Sequence, residues 1–165
     1  MRALLSAAAL LTLACSDRAT TEPEPQSLTG HWVTQRLSLG ESASYEHHLL
    51  LQRFGRFASE VRTYGSYPGQ APDEFSGYSR VEGAFRVDGD RLEFRPVRLV
   101  EWDLFYGLSS PVRVIEPYPY GILFDSTRFE IAADHLTLRY LSYPSDAPVA
   151  ATLDLTRILD SSQAF

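Results

Sequence analysis

The sequence predicts an all-β protein whose strands form an antiparallel meander, closed into a barrel of eight or nine strands. From Leu28 onward apolar and polar residues alternate with a period of two, as on strands with one buried face. Turn residues, including ten Gly and ten Pro, separate these runs at short intervals. No window of about 12 residues carries an apolar stripe at helical spacing.

The predicted strands follow each other at hairpin spacing. Asp88-Gly89, between two alternating runs, is a strong hairpin signal, and Gly55 and Ala133-Asp134 mark two further tight turns. Closure of such a meander removes its exposed edges, whereas a two-sheet sandwich is the alternative arrangement. The expected strand ranges are 31–39, 45–54, 56–64, 78–87, 91–100, 111–116, 122–131, 136–143 and 151–158.

The first fourteen residues have the composition of an export signal. Arg2 is followed by apolar or small residues up to Ala14, immediately before Cys15, the only cysteine in the chain. The run is shorter than the roughly 20 residues needed to cross a bilayer, so a cleaved leader is expected and not a transmembrane helix. The run resembles the signal of bacterial lipoproteins, in which this cysteine becomes the lipidated first residue of the mature protein.

The resemblance departs from the lipoprotein pattern at two positions, where Thr12 and Leu13 replace the preferred Leu and small residue. Ordinary secretion with cleavage after Ser16 is the alternative, and it would leave a secreted or soluble periplasmic protein. Lipidation of Cys15 implies a membrane anchor in the bacterial cell envelope. Since Ser16 and not Asp follows the cysteine, the resemblance implies the periplasmic side of the outer membrane in a Gram-negative cell.

These expectations divide the chain into three parts. Residues 1–14 form the signal peptide, residues 15–27 the lipidated cysteine and a Pro/Glu tether, and residues 28–160 the β-barrel domain. The tether has no large apolar residue, and its alternating Glu and Pro favour an extended, solvated backbone. At about 3.1 Å per residue, residues 16–27 would span roughly 35–40 Å.

Charge and motif content exclude several classes of function. The chain has 15 basic and 21 acidic residues, so its net charge of −6 disfavours nucleic acid and anionic lipid surfaces as partners. With a single cysteine the core alone must hold the fold. No GxGxxG, GxxxxGK or GxSxG motif occurs, which argues against phosphate-binding loops and a serine-hydrolase nucleophile.

The four histidines do not form a recognisable metal site. His47 and His48 are adjacent, so on a strand their side chains point to opposite faces and cannot share one ion without a bulge. His31 and His135 have no His, Asp or Cys at a spacing that suggests a shared site. We therefore predict no metal, no cofactor and no catalytic residue, and we do not expect an enzyme.

The start of the domain resembles the lipocalin-like barrels, and especially short bacterial lipoproteins that open with the same Gly-x-Trp, here Gly30 and Trp32. The hairpins at 87–94 and 133–138 are similar to turns in those barrels. In lipocalins the first-strand Trp closes one end of the barrel, and a basic residue of the last strand lies across its ring. The resemblance implies this structural role for Trp32 and Arg157, with a cation–π contact of about 0.5–2 kcal/mol.

The interior of an eight-stranded barrel either fills with side chains or holds one small ligand. In lipocalin-like barrels the loops at the open mouth form the lid of the ligand site, which directs attention to the long connection at 101–120. Tyr and Trp suit such a lid, because each has an apolar body and a polar tip. The candidate ligand contacts are therefore Trp102, Phe105, Tyr106, Tyr118 and Tyr120.

The sequence supports two hypotheses of function. The first is a membrane-anchored protein that binds a small apolar or amphipathic ligand in its barrel. The second is a packed barrel without a small ligand, whose exposed loops dock another protein of the cell envelope. Residues 65–77 form another long, turn-rich loop, which could either contribute to a ligand site or pack over the end of the barrel.

Overall fold

The computed structural model describes residues 28–40, 42–107, 109, 111–143 and 147–158. Cys15, the predicted signal at 1–14, the tether at 15–27 and the last residues of the predicted domain lie outside this part. The described chain contains two short 3-10 helices, Arg53–Gly55 and Leu104–Tyr106. Its strands are β1 (Gly30–Val33), β2 (Leu37–Leu39), β3 (Ala43–Gln52), β4 (Arg56–Tyr64), β5 (Phe75–Asp88), β6 (Arg91–Asp103), β7 (Arg113–Ile115), β8 (Asp125–Ala132), β9 (His135–Ser142) and β10 (Val149–Ile158).

The strands form a closed antiparallel barrel. Its wall follows the order β1-β10-β9-β8-β6-β5-β4-β3, and β3 pairs back to β1. The predicted all-β meander barrel is therefore confirmed, since an open sandwich would leave the first and last strands unpaired. The other two strands are additions to the wall, because β2 pairs with β3 beyond β1, and β7 pairs with β6. The predicted strand 31–39 is thus interrupted after Val33.

The two ends of the barrel differ in their connections. At one end, which we call the closed end, the predicted tight turns at Gly55, Asp88-Gly89 and Ala133-Asp134 are confirmed. Glycine is required at position 55, where φ is +69° and a Cβ would lie 2.7 Å from the carbonyl oxygen of Phe85. At the other end, the mouth, lie the longer connections 65–74, 104–112 and 143–148.

A buried tryptophan plugs the closed end. Trp32 and Leu28 are both fully buried, and the Trp32 indole Nε1 donates a 3.0 Å hydrogen bond to the Leu28 carbonyl oxygen. The Arg157 guanidinium carbon lies 4.2 Å from the Trp32 ring centroid, and its Nη1 donates to the Thr29 carbonyl oxygen at 2.9 Å. A Cβ at Gly30 would lie 3.1 Å from that Nη1, so glycine leaves space for the guanidinium. These contacts tie the first strand to the last.

The seam between β6 and β8 is the weakest part of the wall. β8 pairs with β6 at only two positions, near the closed end. Towards the mouth, β6 pairs with β7 and not with β8. Residues 116–124, which follow β7, run back along β6, and the Tyr118 amide donates a 2.7 Å hydrogen bond to the Val97 carbonyl oxygen. The long connection therefore becomes part of the wall. Among the described residues, no helix is long and apolar enough to cross a bilayer.

Candidate functional site

A pocket of 270 Å³ lies at the mouth, on the inner side of β4, β5, β6 and β7. The register places Val61, Ser79, Glu101 and Arg113 side by side across these four strands, so their side chains point the same way. We call this cavity the mouth pocket. Its lining is completed by Thr63, Tyr78, Trp102, Asp103 and Pro111.

The rim of the mouth pocket is charged and ordered by hydrogen bonds. Glu101 Oε2 and Arg113 Nη1 lie 3.7 Å apart. The carboxylate of Asp103 accepts hydrogen bonds from the Tyr67 hydroxyl and, at 2.8 Å, from the Phe105 amide. Since Tyr67 belongs to the connection 65–74 and Phe105 to 104–112, this carboxylate joins the two long loops over the pocket.

Aromatic side chains fill the lumen below the mouth pocket. Phe57 and Phe94 meet edge to face at 5.0 Å between ring centroids, and Phe94 meets Phe124 in the same way at 5.3 Å. Phe124 also contacts Tyr140 at 4.9 Å. We call these four residues the aromatic plug. These rings therefore occupy the deep lumen, and a second pocket of 270 Å³ reaches Phe94 and Phe124 at the seam between β6 and β8.

A histidine–serine pair lies where the plug meets the pocket. The His47 Nε2 is 2.7 Å from the Ser59 hydroxyl, and the His47 ring stacks on Phe124 at 5.7 Å with an interplanar angle of 28°. Burial, with a smaller contribution from the charge of His48, lowers the pKa of His47 to about 4. His47 is therefore neutral at pH 7 and has one donor and one acceptor nitrogen. No described carboxylate bonds to its ring, so the pair lacks the third member of a catalytic triad.

The stability of the barrel is expected to fall as the pH is lowered from about 6.5 to about 4. In this window the unfolded chain protonates its histidines, whereas burial keeps the pKa of both His47 and His48 at about 4 in the folded state. The unfolded state then binds more protons, which costs at most about 1.4 kcal/mol per pH unit for each histidine. Urea unfolding at pH 7 and pH 5 measures the loss.

His47→Gln should reduce this pH dependence, because glutamine keeps a polar side chain without a titrating ring. The matched control is His135→Gln, since the side chain of His135 is 66% exposed. Equal pH dependence in wild type and His47→Gln would contradict the prediction.

The predicted ligand contacts do not come together at one place. Trp102 lies on the outer side of β6, stacked on Phe75 at 5.7 Å with an interplanar angle of 6°, while Phe105 is 72% exposed beside the mouth. Tyr106 ends the second 3-10 helix. Tyr118 and Tyr120 contact each other at 5.7 Å between ring centroids, and Tyr118 packs against the core beside β6. Of the five, Trp102 lines the mouth pocket.

The inward position of His47 was available from the sequence, because the alternation along β3 puts it on the same face as Leu49 and Leu51. The position of Phe124 was not, because its φ of +52° breaks the strand pattern just before β8. The alternation along β4 places Ser59 on the inner face, but its contact with His47 could be found only from the register between β3 and β4.

A second polar cluster lies outside the barrel. His31 Nε2 is 3.0 Å from His48 Nδ1, and His48 Nε2 is 3.3 Å from a carboxylate oxygen of Glu46. Burial, followed by the nearby charge of Arg62, lowers the pKa of both histidines, that of His48 to about 4. As predicted, His47 and His48 point to opposite faces, but pairing of β1 with β3 brings His31 to His48. Among the described residues, no group of three or more His, Cys, Asp or Glu is arranged to hold a metal ion.

The fold and the mouth pocket define a closed antiparallel barrel of eight strands with a small cavity at one end, an architecture compatible with a lipocalin-like fold. No protein-family model, no curated protein and no solved structure matches the chain significantly. The likeness to lipocalins therefore concerns the architecture.

Proposed function

We propose that this protein is a lipid-anchored envelope protein that binds one small amphipathic molecule in the mouth pocket. The observation that carries the proposal is that the lining of the pocket changes from uncharged in its inner part to charged at its rim. Val61, which pairs with His47 on β3, and Ser79 form its inner part, and Glu101 and Arg113 form its charged rim. An apolar portion of a ligand would pack inward, while its polar group would bind the rim.

The size of the pocket limits the ligand. Its 270 Å³ lies just below the range of small-molecule pockets, which typically measure about 300–1,000 Å³. A long acyl chain would need the deep lumen, which the aromatic plug fills. The proposed ligand is therefore shorter than a lipid chain and carries a polar or charged group.

An anchor at Cys15 is compatible with an accessible mouth pocket. Leu28 lies at the closed end, next to Trp32, and the mouth pocket lies at the opposite end of the barrel. A barrel tethered through Cys15 and residues 16–27 would thus have its attachment at the end remote from the pocket. This arrangement leaves the mouth accessible to a soluble ligand.

Native mass spectrometry of the protein, purified from a bacterial envelope in mild detergent, tests the proposal. We expect an added mass of a small metabolite in the wild type. Glu101→Gln with Arg113→Gln should weaken its retention about tenfold or more, since a hydrogen bond to a charged group contributes about 1.5–3 kcal/mol. The matched control is Glu130→Gln with Arg139→Gln, an exposed pair on β8 and β9.

Retention that is equal in both double variants would place the ligand elsewhere and overturn the proposed site. A clean unliganded mass in extracts and with added metabolites would overturn ligand binding. The packed barrel that docks an envelope protein would then be the better account, and exposed Phe105 and Tyr120 would be the first residues to test as its contacts.

A further inference from the structure

A long open groove crosses the outer side of β3, β4, β5 and β6. It consists of two adjoining cavities of 580 and 470 Å³ that share Arg80. One extends towards the closed end at Gln52 and Arg56, and the other reaches the mouth end at Tyr64 and Phe75. We call it the outer groove. It lies on the opposite side of the wall from the mouth pocket, although Tyr78 lines both cavities.

Aromatic rings line the mouth end of the outer groove. Phe75 stacks flat on Trp102 at 5.7 Å and meets Tyr64 edge to face at 5.9 Å. The Arg36 guanidinium lies 3.9 Å from the Tyr64 ring centroid, and that of Arg80 lies 5.7 Å from the Tyr78 ring centroid. Grooves lined by aromatic rings recognise proline-containing segments, whose preformed extended helix loses little entropy on binding.

The outer groove also has a positive charge. Four arginines line it against three glutamates, in a chain whose net charge is −6. Glu60, only 3% exposed, is 2.5 Å from the Arg62 Nε and 3.6 Å from the Arg80 Nη1. Glu82 pairs in turn with Arg80 at 3.0 Å and with Arg98 at 2.6 Å, so the excess positive charge of the groove lies at Arg56 near its closed end. Charge-assisted hydrogen bonds from a guanidinium to a carboxylate are among the strong ones. The groove therefore suits an extended segment that alternates proline with acidic residues.

We propose that the outer groove binds the chain's own segment 20–27, Thr-Thr-Glu-Pro-Glu-Pro-Gln-Ser. Its two prolines match the aromatic rings, and its acids Glu22 and Glu24 match the arginines. The eight residues span roughly 25 Å as a polyproline helix, close to the roughly 30 Å of β4 (Arg56–Tyr64). The segment leads directly into Leu28, which lies at the closed end, where the groove begins.

Binding of this segment has two consequences. It covers Phe75 and Tyr78, and it shortens the chain available between the barrel and Cys15. Since the attraction is partly ionic, high salt releases the segment and restores the full length of the tether. The tether therefore controls both the accessibility of the groove and the distance of a membrane-anchored barrel from its membrane.

Acrylamide quenching of tryptophan fluorescence in the full chain tests the proposal. The chain has two tryptophans, and because Trp32 is fully buried, quenching reports mainly on Trp102 beside Phe75. A short tether gives an effective concentration of about millimolar, so weak binding in cis suffices to shield the ring. We expect Glu22→Gln with Glu24→Gln to raise the quenching constant about twofold, and about 1 M salt to do the same to the wild type.

The matched control is Glu130→Gln with Asp154→Asn, which removes two charges from β8 and β10 and should leave the quenching constant unchanged. In the neutralised variant, a synthetic peptide of residues 20–27 should restore the protection, whereas the same peptide with both Glu replaced by Gln should not. Quenching that is equal in wild type and neutralised variant, with no effect of the peptide, would overturn the proposal. Protection that survives neutralisation and depends on protein concentration would also overturn it, because a second copy would then cover the groove.

Discussion

Replacing Trp32 with alanine is expected to lower the free energy of unfolding by about 3–5 kcal/mol, the range for a fully buried large aromatic residue. The substitution leaves a cavity at the closed end and removes the donor to the Leu28 carbonyl oxygen. It also removes the ring beneath the Arg157 guanidinium. Urea unfolding followed by circular dichroism measures the change.

Arg157→Ala and the double variant show whether the two residues act together. Arg157→Ala loses the cation–π contact, about 0.5–2 kcal/mol, and the hydrogen bond to Thr29. The double variant should lose less than the sum, because either single substitution already breaks the contact. Arg128→Ala is the control, since its pairing with Asp90 is exposed and contributes about 0–1 kcal/mol. Losses that add within about 0.5 kcal/mol would show that the contact does not couple the two strands.

The local features of the barrel could be predicted from the sequence. Gly55 and Asp88-Gly89 determine their own turns, because the backbone conformation there depends on neighbouring residues and on glycine's access to positive φ. Period-two alternation then gives each strand two faces. Closure into a barrel follows from having many hairpin-connected strands and no helix to cover their edges.

The candidate sites depend on contacts that sequence patterns do not contain. The approach of His31 to His48 requires the pairing of β1 with β3, and the position of Phe124 requires a backbone conformation unusual for phenylalanine. The predicted strand ended at residue 100, whereas β6 continues to Asp103. Alternation then places Trp102 on the outer side, stacked on Phe75, while it also lines the rim of the mouth pocket.

Phe124→Ala is the second substitution with a large expected effect, because this side chain contacts two other members of the aromatic plug and His47. Loss of its contacts with Phe94, Tyr140 and His47 should cost about 1–3 kcal/mol, less than for a fully buried phenylalanine, because Phe124 is only partly buried. Water entering the cavity would reduce the desolvation of His47, so its pKa should rise from about 4 towards the ordinary value of 6.5. Urea unfolding and NMR titration of the histidine ring measure the two effects separately.

Phe124→Gly separates packing from backbone strain at the same position. Glycine removes the ring but adopts the φ of +52° freely, so it should lose about 1 kcal/mol less than alanine. Both variants should raise the pKa of His47 equally, because both open the same space. If the pKa of His47 stays at about 4 in both, the lumen has collapsed around the missing ring. Phe124 would then be one packed residue among several, and the limit on ligand size would lie with the wall of the barrel and not with the plug.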